Sequence, residues 1–321
     1  MVGGIRMEYK MTISVVVPIY NESGNLVELT SRLRTVLSQI DVDWEVLFID
    51  DGSEDNSWEV IGKFHQEDSR FRGIRLSRNF GQQAALTAGF QFATGEVVIP
   101  MDADLQDPPE LIPSMLKKWQ EGYQVVYAIR QGRKEGWFRK WSAGLFYRLL
   151  NRVTDVKVAL DSGDFCLLDR QVMEALNRLP ESRRFHRGLR SWVGFKQIGI
   201  PFDRDIRFQG KTKYRYQDLL ELALDGFFCL SKAPFRFITY LGCDIVVLGV
   251  LGIIAAVFFR VVSESLFFGY FIILTAIFII GGVVLASLGV MGETIYRMFE
   301  EVRGRPAYII RERLSDSTDK G

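Results

Sequence analysis

Apolar runs alternate with helix-like spacing along the first 130 residues of this chain. Ile13–Asn21 is an apolar segment closed by a turn, and Trp44–Ser53 is a second apolar segment that ends in acidic residues. Between them, leucine and valine recur at helical spacing from Leu26 to Leu37, with Ser23 available as a helix cap. Short continuous apolar runs are typical of strands that are buried on both faces of a parallel sheet.

The alternation of strand and helix continues as far as Arg130. The pattern predicts a helix near Ser57–Gln66, a strand in FRGIRLS, a helix over Gly81–Thr94, a strand in GEVVIP, a helix over Pro108–Glu121 and a strand in YQVVYAIR. This order predicts an α/β fold with a largely parallel sheet and helices on both faces. In open sheets of this kind, ligands bind outside the carboxyl ends of the strands.

Acidic or polar residues follow three of the predicted strands. They are Pro18, Tyr20 and Glu22 after the first strand, Asp50 and Asp51 after the second, and Asp102 and Asp104 after the fourth. Neighbouring carboxylates repel each other unless a proton or a cation neutralises them. Magnesium prefers one or two carboxylates together with phosphate oxygens and waters. One acidic turn would be ordinary solvated surface, but three at one edge predict a site for Mg²⁺ or Mn²⁺ and a nucleoside diphosphate.

The composition excludes several other classes of function. The chain has 321 residues with 40 Lys and Arg against 39 Asp and Glu, so it predicts no nucleic-acid partner. Three scattered cysteines and two histidines form neither a disulfide framework nor a zinc pattern. A metal ion would therefore have carboxylate ligands, which favours a hard ion. The sequence also contains neither a P-loop nor a strand-linked dinucleotide-binding motif.

Two long apolar segments follow in the second half of the chain. No charged residue occurs from Leu266 to Gly292, and only Asp244 occurs from Phe237 to Phe259. Segments of about 20 apolar residues are long enough to cross a bilayer. They predict two spans, at about 237–259 and 266–292. Because arginine and lysine flank the pair at both outer ends, we expect a hairpin with both termini in the cytoplasm.

The remaining segments complete the predicted domain organisation. We expect residues 1–11 to be a leader outside the folded domain, and 12–212 to form a cytosolic α/β domain that carries the predicted site. Basic and aromatic residues predict amphipathic helices at about 137–153 and over 213–236, lying in the membrane interface, although ordinary surface helices would show the same pattern. Residues 293–321 form a cytosolic tail.

Five motifs occur in a fixed order: VVVPIYNESGNL, IDDGSEDNS, RNFGQQAALTAGF, MDADLQDPPE and DSGDFCLLDR. With them, the chain resembles family-2 glycosyltransferases of the GT-A fold from Ile13 to about Arg305. Within that family it is similar to polyprenyl-phosphate glycosyltransferases, which include bactoprenol-phosphate glucosyltransferases, dolichol-phosphate mannose synthase and the enzymes that attach aminoarabinose to undecaprenyl phosphate. The resemblance implies a multi-pass protein of a bacterial inner membrane.

The resemblance also implies roles for single residues. It implies nucleotide contacts at Pro18, Tyr20, Glu22 and Asp51, a loop that closes over the donor at Arg207, metal and diphosphate contacts at Asp102, Asp104 and Gln106, and lipid-phosphate contacts at Arg130, Arg139 and Ser142. Asp50 is a further candidate nucleotide-sugar contact from its chemistry alone, because it and Asp51 can accept hydrogen bonds from a base N–H and from ribose hydroxyls. Asp164 either orients the acceptor or the sugar, or caps a turn. Two departures stand out: Cys166 occupies a position where a basic residue is expected, and the Q-x-x-R-W motif of processive synthases is absent near RGLRSWVGF.

The predicted activity is the inverting transfer of a hexose, with UDP-glucose as the leading donor, to a polyprenyl phosphate of the undecaprenyl type. A phosphate monoester is largely a dianion at neutral pH, so it needs cationic positioning more than a general base. The alternatives are another donor, such as GDP-mannose or a UDP-aminoarabinose derivative, or a non-catalytic protein that binds or flips a lipid-linked sugar. Small residues at Gly282, Ala286 and Gly289 are a weak indication of a homo-oligomer.

Overall fold

The protein is described by a computed structural model. The described residues are 11–131, 162–181, 184–203, scattered residues between 242 and 258, and 267–314. They divide into two compact units. One unit contains an eight-stranded sheet with its helices, and the other contains a long C-terminal helix.

The elements are numbered in chain order. The strands are β1 (Thr12–Ile19), β2 (Asp43–Asp50), β3 (Phe71–Leu76), β4 (Val97–Pro100), β5 (Val125–Gln131), β6 (Ser162–Asp169), β7 (Gln197–Asp203) and β8 (Ile310–Leu314). The helices are α1 (Ser23–Ser38), α2 (Ser57–Glu67), α3 (Gln82–Phe92), α4 (Ile112–Gln120), α5 (Arg170–Asn177), α6 (His186–Trp192) and α7 (Phe267–Arg303), and Pro109–Leu111 is a 3₁₀ turn.

The strands form a mixed sheet in the order β7-β5-β6-β4-β1-β2-β3-β8. The four central strands, β4, β1, β2 and β3, are parallel, as the sequence predicts. β6 runs antiparallel between β4 and β5, and β8 runs antiparallel along the outer edge of β3. The alternating pattern does not predict β6, β7 or β8. β5 and β7 are parallel to each other and run in the same direction as the four strands β1–β4, so the expectation of a largely parallel sheet holds for six strands and fails for β6 and β8.

The continuous apolar character of β1 follows from burial on both faces of the sheet. Val15 and Val17 pack in a cluster with α1, α2 and α4, whereas Val16 packs with α3 and α5 on the opposite face. All three side chains are fully buried. The α3 backbone approaches β1 closely at Gly89, where a Cβ atom would overlap the Val16 side chain. Glycine at this position therefore allows α3, and the loop before it, to lie close to the sheet.

The predicted cap of α1 is wrong in its position. The helix begins at Ser23 itself and its N-cap is Glu22, whose side chain makes no capping bond. The Ser23 N–H instead donates to Asp55 Oδ2 at 3.1 Å, from the loop that follows β2. An acceptor from a neighbouring loop can satisfy a free helix N–H as well as a local serine does.

Helix α7 is long and apolar enough to cross a membrane over Thr275–Arg303, and it is the only such helix in the part of the chain that the structure describes. It continues past the predicted end at residue 292 to Arg303, with an ion pair of 2.7 Å between Arg297 Nε and Glu293 Oε1 in its polar last turns. The other predicted span, 237–259, lies largely outside the described residues, so a two-helix hairpin is not confirmed. The predicted amphipathic helices at 137–153 and 213–236 lie outside them too.

The sheet is completed by residues that follow α7. Ile310 packs with the core on the α3 side of the sheet and Leu314 packs on the other side, and the Ser77 N–H donates to the Ile309 carbonyl at 2.8 Å. Tyr308 Oη donates to Gln91 Oε1 on α3 at 2.5 Å. The strand therefore covers the edge of β3 and fixes it to α3, although it lies far beyond the predicted end of the catalytic domain.

We predict that replacing Ile310 with lysine lowers the free energy of unfolding of the sheet unit by about 1–3 kcal/mol, because a charged side chain would replace a packed apolar one. Its neighbour Ile309 is 52% exposed, so Ile309→Lys is a matched control that should change stability by less than about 0.5 kcal/mol. Denaturant unfolding of the detergent-solubilised full chain measures both. Equal stability of the two variants would show that β8 is not part of the stable sheet.

Candidate active site

The sheet brings most of the predicted site residues to one edge. β1, β2 and β4 are parallel, so the polar residues that follow them share the carboxyl edge. The antiparallel register of β4 with β6 pairs Val97 with Asp169 and Val98 with Leu168. Continued along the strands, this register places Asp164, near the start of β6, beside the end of β4. β5 also ends at this edge, because it is antiparallel to β6.

Asp50 is fully buried at the end of β2. Its Oδ2 atom lies 3.1 Å from Arg75 Nε, and its Oδ1 atom accepts a bond from the Ser53 N–H at 3.0 Å. Burial raises the pKa of Asp50, and the bonds from Ser53 and the charge of Arg75 oppose that rise. The carboxylate thus faces β3 and its own turn.

Asp51, the next residue, is held by the loop between β3 and α3. Oδ1 accepts the Phe80 N–H at 2.7 Å and Oδ2 accepts the Gly81 N–H at 2.8 Å. Burial raises the pKa of Asp51 to about 6, against the lowering effect of these two bonds. Each carboxylate oxygen can accept more than one hydrogen bond, so Asp51 can still accept a bond from a ligand at the sheet edge.

The turn after Asp51 requires glycine. Gly52 has φ +70°, and a Cβ atom there would lie 2.5 Å from the carbonyl carbon of Arg78 and 2.7 Å from the Asn79 nitrogen. Two backbone segments therefore touch at this point, which sets the distance between Asp51 and the loop that binds it. Asn21, after β1, also has positive φ (53°) and accepts the Glu54 N–H at 2.8 Å.

The residues predicted around β1 surround the same turn. Pro18, Tyr20 and Glu22 are all half-buried at the end of the strand. The Glu22 N–H donates to Ser57 Oγ at 3.1 Å, and Glu22 Oε2 accepts a bond from Asn25 Nδ2 at 2.6 Å. Glu22 is therefore tied to the first residue of α2, in the segment that follows β2.

After β4, Asp102 is half-buried and Asp104 is buried. Asp102 Oδ1 accepts a bond from Gln82 Nε2 at 2.7 Å, and Asp104 Oδ1 accepts the Gln106 N–H at 3.1 Å. Leu105 lies between Asp104 and Gln106 with φ +62°, a left-handed conformation that a non-glycine residue adopts at a cost of about 1–3 kcal/mol. Within the described part of the chain, Leu105 and Asn21 are the two non-glycine residues with positive φ, and both lie at this edge.

Asp102 and Asp104 have the chemistry that a hard divalent cation requires. Both present carboxylate oxygens, two positions apart, at a strand end. No group of three His, Cys, Asp or Glu side chains that could hold a metal occurs among the described residues. Two carboxylates fit Mg²⁺ or Mn²⁺ where phosphate oxygens and waters supply the other ligands.

Asp164 is bound by a guanidinium fork from α6. Arg187 Nε donates to Oδ1 at 2.8 Å and Arg187 Nη2 donates to Oδ2 at 2.9 Å. Burial alone would raise the pKa of Asp164, but the charge and hydrogen bonds of Arg187 outweigh it and hold that pKa below its usual range. Cys166 is buried beside Arg190, and burial raises the pKa of its thiol. Helix α6 therefore brings basic residues to the place where the sequence has cysteine.

The structure does not test the predicted cationic contacts. Arg130 lies at the end of β5, where its backbone is in register with Phe202, but its side chain is outside the described part. Arg139, Ser142 and Arg207 also lie outside the described residues.

Three residues were missed by sequence reasoning. Gln82, Gln83 and Arg187 contact the site from α3 and α6. The first two belong to the motif RNFGQQAALTAGF, to whose residues the sequence pattern assigns no role. Arg187 stands in the RGLRSWVGF segment, which serves in the sequence only to exclude a processive polymerase.

Comparison with known proteins identifies the family of this chain. The model of Glycosyl transferase family 2 matches residues 14–176. An uncharacterised glycosyltransferase of Synechocystis is 42% identical over 304 residues, covering 94% of this chain and 95% of the relative. The Escherichia coli prophage bactoprenol glucosyl transferase homolog is 36% identical over 304 residues, covering 94% and 99%. The chain belongs to glycosyltransferase family 2.

A solved structure similar to this family-2 glycosyltransferase is glucosyl-3-phosphoglycerate synthase from Mycobacterium tuberculosis in complex with Mn²⁺, UDP and glucosyl-3-phosphoglycerate. It is 19% identical, and the match covers 67% of this chain and 77% of that chain with a TM-score of 0.46.

In this family-2 glycosyltransferase, we predict that Gly52→Ala lowers the free energy of unfolding by about 2–4 kcal/mol, because a positive φ and a backbone clash both oppose the methyl group. Gly62 in α2 is the matched control, since a Cβ atom added there would meet no other atom within 4 Å. Gly62→Ala should be neutral or stabilise by up to about 1 kcal/mol. Denaturant unfolding compares the two variants, and similar values would contradict the tight turn at Gly52.

Proposed function

We propose that this enzyme transfers glucose from UDP-glucose to a polyprenyl phosphate, with inversion at the anomeric carbon. The observation that carries the proposal is the gathering of Asp51, Asp102, Asp104 and Asp164 at one sheet edge, in a chain that also has a helix able to cross a membrane. The bactoprenol glucosyl transferases among its relatives support both the sugar and the acceptor.

The donor nucleotide binds at the ends of β1 and β2. Asp51 accepts a base N–H, while Pro18, Tyr20 and Glu22 line the same corner. We assign Asp50 to positioning rather than to a nucleotide contact, because it is fully buried against Arg75. Its ion pair holds β2 and β3 in register, and so sets the place of Asp51.

The diphosphate and its metal ion bind at Asp102, Asp104 and Gln106. Mg²⁺ or Mn²⁺ at these residues supplies charge stabilisation for the leaving diphosphate. The protein groups are already arranged, because the Asp104 carboxylate accepts the Gln106 N–H and the left-handed turn at Leu105 fixes the path between them. We assign Arg207 to the loop that closes over the donor.

The acceptor phosphate is held by Arg130, Arg139 and Ser142. Arginine forks match the geometry of a phosphate, and they orient a nucleophile that needs no strong general base. A phosphate oxygen of the acceptor attacks the anomeric carbon from the face opposite the diphosphate. The bond from that carbon to the diphosphate breaks, and its electron pair leaves with UDP.

Asp164 acts as a fixed negative charge next to this reaction rather than as a proton acceptor. Its pKa lies below the usual range and Arg187 binds both of its oxygens. An ionised carboxylate in this position orients a sugar hydroxyl or the acceptor arginines. We assign it the orienting role and not a turn cap, because Arg187 binds its carboxylate from another helix.

The proposed acceptor also implies where the enzyme is located in the cell. Polyprenyl phosphate is a membrane lipid, so the catalytic unit works at the cytoplasmic face of a bacterial inner membrane. We propose in addition that the chain crosses the membrane twice, that both of its termini are cytoplasmic and that it forms a homo-oligomer. The runner-up function is the same chemistry with GDP-mannose or a UDP-aminoarabinose derivative. A non-catalytic lipid-binding or flipping protein would have no need of the acids gathered at this edge.

The function is tested by incubating the purified full chain and undecaprenyl phosphate with labelled UDP-glucose, GDP-mannose and a UDP-aminoarabinose derivative. We expect glucose to appear on the lipid, with no product in excess EDTA and recovery on addition of Mg²⁺ or Mn²⁺. Asp104→Asn is the matched inactive control. Transfer at the same rate in EDTA would refute the metal role, and product from another donor alone would replace glucose with that sugar.

Substitution of Arg130 should weaken binding of the lipid acceptor without weakening binding of the sugar donor. We expect Arg130→Ala to raise the KM for undecaprenyl phosphate by roughly 10–100-fold, because it removes a charge-assisted bond of about 1.5–3 kcal/mol. UDP affinity in Mn²⁺ should stay unchanged, since Asp51, Asp102 and Asp104 are intact. Arg130→Lys should restore part of the loss, as an ammonium lacks the planar fork. Equal weakening of donor and acceptor, or of neither, would remove Arg130 from the acceptor site.

A further inference from the structure

Four consecutive residues, Phe80–Gln83, connect the separate parts of the site. We call this segment the FGQQ junction; it joins the loop after β3 to the first turn of α3. Its first two residues donate their backbone N–H groups to the two oxygens of Asp51, at 2.7 and 2.8 Å. The backbone of the junction therefore holds Asp51, the residue proposed to bind the nucleotide.

The third residue holds the proposed metal ligand through its side chain. Gln82 Nε2 donates to Asp102 Oδ1 at 2.7 Å. An amide donor limits the rotation of a carboxylate but leaves it with further lone pairs for a cation. Groups that orient a metal-binding carboxylate in this way strongly affect metal affinity, although they do not touch the ion.

The fourth residue anchors the start of α6. Gln83 Oε1 accepts the His186 N–H at 3.1 Å, and the Gln83 carbonyl lies 3.2 Å from His186 Nε2. Thr87, one turn further along α3, lies 3.0 Å from the same Nε2 and donates its hydroxyl to the Gln83 carbonyl at 2.7 Å. Burial lowers the pKa of His186 to about 4, so the ring is neutral. A carbonyl oxygen only accepts, so Nε2 carries the proton and donates to the Gln83 carbonyl.

The residue after His186 is Arg187, the partner of Asp164. The bond between the His186 N–H and the Gln83 side chain therefore fixes the backbone next to Arg187, and so the position from which the Arg187 side chain reaches Asp164. The two neighbouring glutamines thus act on different carboxylates. Gln82 binds Asp102 directly, whereas Gln83 acts on Asp164 indirectly, by holding the helix that carries Arg187.

We propose that Gln82 and Gln83 are positioning residues, each for a different carboxylate of the site. Gln82 orients Asp102 for the metal ion and the diphosphate, and Gln83 holds α6 so that Arg187 keeps Asp164 in place. The assignment rests on the proposed function of this edge as a metal-dependent sugar-nucleotide site. Neither glutamine touches a reacting atom in this scheme.

The two roles predict different effects for the same substitution. Methionine is close to glutamine in length, has no hydrogen-bond donor and has only a weak acceptor in its sulfur, so Gln82→Met and Gln83→Met remove the amide bonds with a small change in volume. Gln66→Met is the matched control, because Gln66 is exposed on α2. All three variants are made in the full-length, detergent-solubilised chain.

The first readout is the binding of Mn²⁺ and UDP, which does not depend on turnover. We expect Gln82→Met to weaken Mn²⁺ binding in the presence of UDP by roughly 10–100-fold, measured by calorimetry and by electron paramagnetic resonance of the ion. Gln83→Met and Gln66→Met should bind Mn²⁺ and UDP as the parent does. An unchanged Mn²⁺ affinity in Gln82→Met, with UDP still bound, would overturn its role.

The second readout is turnover in a double-mutant cycle. We expect Gln83→Met to lower kcat by roughly 10-fold, the low end of such positioning effects, and to have no further effect in the Asp164→Asn background, since it acts through that residue. Additive losses in kcat, or a loss of Mn²⁺ binding, would refute this route.

The outcome for the parent protein separates this inference from the function on which it rests. If the parent binds no UDP in Mn²⁺, the proposed function fails before the glutamines are tested. If the parent binds UDP and transfers sugar but the three glutamine variants behave alike, the function stands and the positioning roles are wrong.

Discussion

Burial of carboxylates at one sheet edge is the constraint around which the site is arranged. Five acids, Asp50, Asp51, Asp102, Asp104 and Asp164, lie at or near this edge, where burial raises the energy of a negative charge. Each has its own partners: Asp50 the Ser53 N–H and the charge of Arg75, Asp51 two backbone N–H groups, Asp102 the amide of Gln82, Asp104 the Gln106 N–H, and Asp164 the fork of Arg187. Burial raises the pKa of Asp50 and Asp51 in spite of their partners, whereas the charge and hydrogen bonds of Arg187 hold the pKa of Asp164 below its usual range.

These donors explain why helices outside the acidic motifs belong to the site. α3 packs on β1 through Gly89, and this approach brings its first turn to the acids after β2 and β4. α6 is attached to that turn by Gln83 and carries Arg187 to β6. A shift of α3 would therefore disturb Asp51, Asp102 and Asp164 together, although these three acids follow or lie in three different strands.

The sheet that carries the site includes a strand that follows α7 in the chain. β3 leads into the loop that holds Asp51, and β8 covers the free edge of β3. β8 begins seven residues after the end of α7. The sheet that carries the site is thus finished only by chain that follows the apolar helix, so the catalytic unit is not a continuous stretch of sequence.

The sequence by itself determined the elements whose signals are local. Apolar runs buried on both faces predicted the four central parallel strands, and the acids after them predicted where the site lies. Tertiary structure decided the rest. Antiparallel β6 and β8 pair with strands far away in the chain, and a pairing partner leaves no mark on a short segment. Ser23 has the composition of a cap, yet Asp55 from another loop supplies the acceptor. Gln82 and Arg187 look like ordinary polar positions, because their roles come from the carboxylates that the fold places opposite them.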